Sequence, residues 1–146
     1  MYEKTDLIVR ALSLDITDKS ILEVACGCAE LSISAAPYAK IVHCIDIDMH
    51  RVPTTLPQNV CFYQMDACNM SYSNGLFDTV IIYNAFSHVH TQWDAIEKEC
   101  MRVLKPSGCF YVISTWSMDI ALMNEVFEGT IERYKDFCVV KIEKFQ

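Results

Sequence analysis

One turn, one carboxylate, one amide and one imidazole in this sequence have the types and spacing to hold a polar ligand and move a proton on it. The turn lies in Ile21-Leu22-Glu23-Val24-Ala25-Cys26-Gly27-Cys28-Ala29-Glu30-Leu31. There an apolar strand runs through small residues into a helix, the local arrangement that brings backbone N–H groups up to a polar ligand. Asp46 closes the next apolar run and stands nineteen residues beyond Gly27. That is the separation at which a carboxylate receives the paired hydroxyls of a ribose through two charge-assisted hydrogen bonds. The alternative reading is that Asp46 caps the chain that follows, and Asp48 is a nearby rival. Asn84 closes a third run, Leu76 to Tyr83, and so falls at the carboxyl end of a strand, where open α/β sheets bind ligands. His88 carries an imidazole able to orient or deprotonate a nucleophile, and reads alternatively as a helix-start residue without chemistry.

The elements that must position these residues alternate along the chain. Apolar residues at Leu7, Ile8, Ala11, Leu12 and Leu14 predict a helix over 6–14, before a polar turn. Ile21 to Ala25 predicts a buried strand and Ala29 to Ala39 a helix, which Pro37 ends early or bends. Strands follow at 41–46 and 59–64; between them Pro53 and Pro57 leave room for little more than one helical turn. Leu76 to Asn84 is apolar almost throughout, as suits a central parallel strand covered on both faces. Thr91-x-x-Asp94 has the form of a capping box opening a helix with a stripe at Ile96, Cys100, Val103 and Leu104. Leu104 to Gly108 then reads as a turn into a strand at 109–114, a helix at 119–127 follows, and Phe137 to Ile142 makes a sixth and last strand.

Composition narrows the possibilities. A chain of 146 residues is expected to form a single domain, 1–146, without a separate substrate cap. Twelve basic residues against nineteen acidic ones give a net charge of −7. No basic cluster tracks phosphates, so nucleic acid is not the expected partner. Every apolar run stops short of the ~18 residues that suggest a membrane span. The polar N-terminus lacks the order of a secretory signal, and a cytoplasmic setting is expected. The eight cysteines are expected as reduced thiols, several of them in buried strands; Cys26-x-Cys28 is too tight for the usual zinc knuckle, and no metal site is expected.

The first turn resembles the opening motif of the class I S-adenosylmethionine-dependent methyltransferases, an acidic residue, any residue, then Gly-x-Gly-x-Gly. Glu23 fills the acidic place and Gly27 the middle glycine, while Ala25 and Ala29 replace the outer two. Phe77-Asp78 resembles the entry to the family's fourth strand. Leu104-Lys105-Pro106-Ser107-Gly108 resembles its Leu-Lys-Pro-Gly-Gly turn, with Ser107 for one glycine. The resemblance implies a three-layer Rossmann-like α/β fold with a mostly parallel sheet in the order 3-2-1-4-5 plus one C-terminal edge strand. It also implies S-adenosylmethionine as cofactor, bound by Glu23, Ala25, Gly27, Asp46 and Asn84. Asp66 would take the exocyclic amine of the adenine and the Ala67 N–H a ring nitrogen; the bland reading of Asp66 is a turn after a strand.

The family's sheet has seven strands and this sequence predicts six, so the C-terminal edge is expected to be covered by a second copy or a partner subunit. The activity implied is methyl transfer to a small molecule or an exposed protein group, with His88 as helper. A second reading is a methyltransferase fold kept as a non-catalytic binding or regulatory subunit. A nicotinamide-binding domain shares the turn and the ribose acid but leaves the Phe77-Asp78 strand and the Lys-Pro-Ser-Gly turn unexplained.

Overall fold

The central strand β1 (Ser20–Val24) is apolar on both faces, with Ile21, Leu22 and Val24 buried, and the sheet grows outward from it. It pairs in parallel with β2 (Ile41–Asp46) on one side and β4 (Phe77–Tyr83) on the other. β3 (Val60–Gln64) extends the sheet beyond β2, and β5 (Leu104–Ser114) beyond β4, both in parallel. Two antiparallel strands, β6 (Glu132–Arg133) and β7 (Cys138–Glu143), complete the order β3-β2-β1-β4-β5-β7-β6. The computed structural model describes residues 2–145.

Strand alternation sorts the core into two layers. Ile21, Val42, Ile81 and Ile113 face one side, where α1 (Glu3–Ala11), α2 (Ser13–Ile16) and α3 (Glu30–Ala35) supply Ile8, Ile16, Leu31 and Ala35. Leu22, Val24, Val80, Ile82 and Val112 face the other. There α4 (Phe86–Val89), α5 (Trp93–Val103) and α6 (Ser117–Val126) bring Phe86, Trp93, Ile96, Cys100 and Met123. The period of two along each strand thus produces the three-layer α/β/α arrangement that the sequence predicts.

The structure departs from the sequence reading in five places, each for a local reason. A seventh strand is present: Glu132 and Arg133 pair with Val139 and Cys138, so β7 is not the outermost strand. Two exposed charged residues carry no apolar pattern, but a short charged edge suits the rim of a sheet. The first helix starts at Glu3 and is broken at Leu12, leaving Ser13–Ile16 as a separate turn of helix. α3 stops at Ala35, two residues before Pro37. Thr91 caps nothing: α4 passes through a 3-10 turn at His90–Gln92 straight into α5, and no side-chain cap bond forms. Finally, Lys105 to Gly108 is not a free turn but a bulge within β5, where pairing jumps from Phe77 opposite Leu104 to Thr79 opposite Cys109. Ser107 there has φ 67°, and a Cβ on Gly108 would lie 2.8 Å from the Asp78 carbonyl oxygen, so the glycine is a steric requirement.

Candidate functional site

Five parallel strands end on the same edge of the sheet, and the loops that leave β1, β2, β3, β4 and β5 together enclose a cavity of about 440 Å³. Ala25, Gly27, Asp46, Asp66, Ala67, Asn84 and His88 all line it. Residues spread over more than sixty positions of sequence therefore meet in one hollow. Both acids that the sequence singles out face that hollow rather than separate regions.

The β1 turn is held open by a chain of backbone bonds. The Cys26 N–H donates to the Ile45 carbonyl at 3.0 Å, and the Ala29 N–H donates to the Cys26 carbonyl at 2.8 Å. The Gly27 N–H donates to Asp46 Oδ2 at 2.8 Å, while Asp46 Oδ1 accepts the Asp48 N–H at 2.9 Å. Asp46 therefore does cap the following turn, and it still borders the cavity with lone pairs to spare, since a carboxylate offers about four acceptor sites. Asp66 behaves similarly: Oδ1 accepts the Cys68 N–H at 2.8 Å, and the carboxylate keeps further lone pairs toward the cavity. Ala67 follows it in the same loop.

The two glycine-to-alanine departures differ in consequence. Ala25 has φ 55° and Ala29 φ 62°, so both sit in the left-handed region that a glycine would occupy without strain. The Ala29 methyl turns into the core and is fully buried, whereas Ala25 borders the cavity. Gly27, at φ 57°, keeps the middle place open; a Cβ there would lie 3.2 Å from the Arg51 guanidinium.

Two expected contacts look elsewhere. Glu23 does not line the cavity: it is buried on β1, and Oε1 accepts both the Ser32 Oγ–H at 2.6 Å and the Ser32 N–H at 3.1 Å. It braces α3 against the sheet from beneath the turn. Asn84, at φ 50°, lines the cavity, but its side chain is spent on β5: Oδ1 accepts the Thr115 N–H at 2.8 Å and Nδ2 donates to Thr115 Oγ1 at 2.9 Å. It fastens the tip of β4 to the tip of β5. His88 is exposed on the rim.

Several lining residues escape motif reasoning. Ile47, 71% exposed directly after Asp46, puts an apolar side chain on the cavity wall. Glu30, Arg51, Tyr83 and Trp116 also line the hollow, and Arg51 is the only Lys or Arg among the described residues that does. Burial holds the Cys28 thiol and the Tyr83 phenol above their ordinary values, so both meet a ligand uncharged. Ile47 follows an acid at a strand end, a signal that sequence could have supplied; the others are single residues in loops.

This geometry is that of the methyltransferase fold, and comparison with known proteins agrees. A family model described as a methyltransferase domain matches residues 21–108, more than half of the chain. The chain belongs to the class I S-adenosylmethionine-dependent methyltransferase family, and its cofactor is S-adenosylmethionine. It is similar to the demethylmenaquinone methyltransferase of Lactococcus lactis, 27% identical over 124 residues, covering 78% of this chain and 49% of that one. YqeM of Bacillus subtilis is 33% identical over 96 residues, or 60% of this chain and 39% of the relative. The chain thus spans half or less of the curated relatives it matches. Among solved structures, the N-methyltransferase NodS of Bradyrhizobium japonicum superimposes with a TM-score of 0.71 at 15% identity, covering 99% of this chain and 96% of that one. At that identity the likeness concerns the fold.

Two stability predictions follow from the turn. Desolvation raises the Glu23 carboxyl to about 8 against the bonds from Ser32, so between about pH 4.5 and 8 the native state holds a proton that the unfolded chain has released. Stability must then fall as pH rises through that window, by at most about 1.4 kcal/mol per pH unit. Glu23→Gln keeps an acceptor for Ser32 without the ionisation. In urea denaturation its advantage over the parent should widen from pH 5 to pH 8, and parallel profiles would count against this role. Ala25→Gly, which relieves left-handed strain, should stabilise by about 1 kcal/mol, whereas a loss of stability in the same assay would show the strain to be absent.

Proposed function

We propose that this chain transfers a methyl group from S-adenosylmethionine to a small molecule or an exposed protein group. The observation that carries the reading is that Asp46, Asp66 and the Gly27 turn line one cavity at the tips of neighbouring strands. The residues present fit the cofactor. Asp46 has lone pairs left for a pair of ribose hydroxyls, and the Asp66 carboxylate with the Ala67 N–H offers the acceptor and donor that an adenine edge requires. Arg51 supplies the positive charge that the cofactor's α-carboxylate needs. Ile47 gives the ring an apolar face.

Bound there, S-adenosylmethionine would supply a methyl carbon already activated by its sulfonium, so no nucleophile from the protein is required. The protein's share of the work is alignment, exclusion of water and disposal of a proton. Gly27 and Asp46 fix one end of the hollow through their mutual bond. Asn84 holds the β4 tip at the other. His88, on the rim, is placed to take the proton of an acceptor. A relative named for a small-molecule acceptor, demethylmenaquinone, favours that side of the alternative. Eight free cysteines suit a reducing cytoplasmic setting, and the edge of β7 that the two residues of β6 leave uncovered suits a second copy or partner.

The second reading, a binding or regulatory subunit without catalysis, is favoured by the strained alanines in the cofactor turn. Calorimetric titration separates the outcomes. The parent should bind S-adenosylmethionine, and Asp46→Asn should bind about tenfold more weakly, as replacing a charge-assisted hydrogen bond by a neutral one implies. No heat at millimolar ligand would exclude the cofactor site. Binding without methyl release to any acceptor would favour the regulatory subunit.

A further inference from the structure

The cavity has a second end that the cofactor reading leaves unused. Along the sheet edge the strand tips run β3, β2, β1, β4, β5, and at about 4.8 Å per strand the outer two lie about 19 Å apart. Asp66 and Asp46 follow β3 and β2, so the adenosine belongs at that end. Trp116 follows β5, at the opposite end, yet lines the same cavity. The residue is 46% exposed, whereas the other tryptophan, Trp93, is 8% exposed in the core.

The exposed part of Trp116 offers the cavity a flat apolar surface. Its backbone is held tightly. The Trp116 N–H donates to Ser114 Oγ at 3.0 Å, and Ser114 Oγ–H donates to Asp119 Oδ2 at 2.7 Å. Asp119 is fully buried, and its Oδ1 accepts the Ser87 N–H at 2.8 Å. One carboxylate therefore fixes the segment that carries Trp116 and the segment that carries His88. Val89, Gln92 and Ile96 line the same cavity, with Gln92 on the side of Cys68.

Resting on the cofactor reading above, we propose that Trp116 is the stacking wall of the acceptor subsite and that the acceptor is a planar, aromatic or conjugated ring bearing a hydroxyl. The flat indole selects a flat partner through offset stacking. His88, next to the Ser87 whose N–H that carboxylate accepts, meets the hydroxyl at the ring's edge. Asp119 is a positioning residue for both.

The test uses the whole protein, with and without S-adenosylhomocysteine, titrated by calorimetry with 2-naphthol and with its saturated analogue decahydro-2-naphthol. The naphthol should bind about fivefold more tightly than the analogue. It should also quench tryptophan fluorescence in the parent but not in Trp116→Phe, where only buried Trp93 reports. Trp116→Ala should lose about fivefold in naphthol affinity, Trp116→Phe less than twofold, and neither should change S-adenosylhomocysteine binding. Equal affinity for the two probes, or an unchanged Trp116→Ala, overturns the stacking wall. A loss of S-adenosylhomocysteine affinity in Trp116→Ala also overturns it, by making Trp116 part of the cofactor site. Absence of S-adenosylhomocysteine binding by the parent instead defeats the cofactor reading, and is seen before any naphthol is added.

Discussion

The hydrogen bond from the Gly27 amide to the Asp46 carboxylate, 2.8 Å long, is the constraint on which the site depends. It joins the turn after β1 to the tip of β2, and so turns two adjacent loops into one wall. A short chain segment between strand and helix has many conformations; this one is fixed because its amides are claimed by Ile45, Asp46 and Cys26. The fixing is strong enough to hold two alanines in left-handed backbone, at roughly 1–2 kcal/mol each. Where a glycine would follow the turn passively, these alanines are carried into it by the bonds around them.

Beneath that wall lies a second carboxylate with a different task. Glu23 stands on the same strand as the turn, but strand alternation points it away from the cavity and into the layer where α3 lands. Its bonds to Ser32 set where α3 begins relative to the sheet, and hence how far the turn reaches. Toward β5 Asp119 plays a comparable part, tying the segments after β4 and β5 together through Ser87 and Ser114. Buried acids under the central strand and beside the β4 and β5 tips thus brace the edge of the sheet, and the acids that face the cavity are left with lone pairs for a ligand.

Much of this was legible in the sequence because it is repetitive and apolar. The five parallel strands each carry a short, mostly apolar stretch, broken at single residues such as Glu23 and His43, and their order was implied by the family resemblance. Asp46 was legible because it closes such a run, and Asp66 through the family resemblance. The seventh strand was not, since Glu132-Arg133 is too short and too polar for any periodic signal. The bulge at Lys105 to Gly108 reads locally as a turn, and only pairing with β4 and the return of Lys144 beside Gly108 make it part of a strand. Glu23 was expected at the ligand because the motif places it in the turn, whereas its direction depends on strand phase. Arg51 and Trp116 lie in loops without pattern, and nothing short of the fold brings them to the hollow.

The central claim is that one hollow at the strand tips takes the adenosine of the cofactor, with Asp46 on its ribose. A crystal structure of the protein grown with S-adenosylhomocysteine tests it most directly. The account predicts both ribose hydroxyls within hydrogen-bond distance of Asp46 and the adenine edge beside Asp66 and Ala67. Ligand density away from the tips of β2 and β3, or a ribose that leaves Asp46 uncontacted, would contradict it.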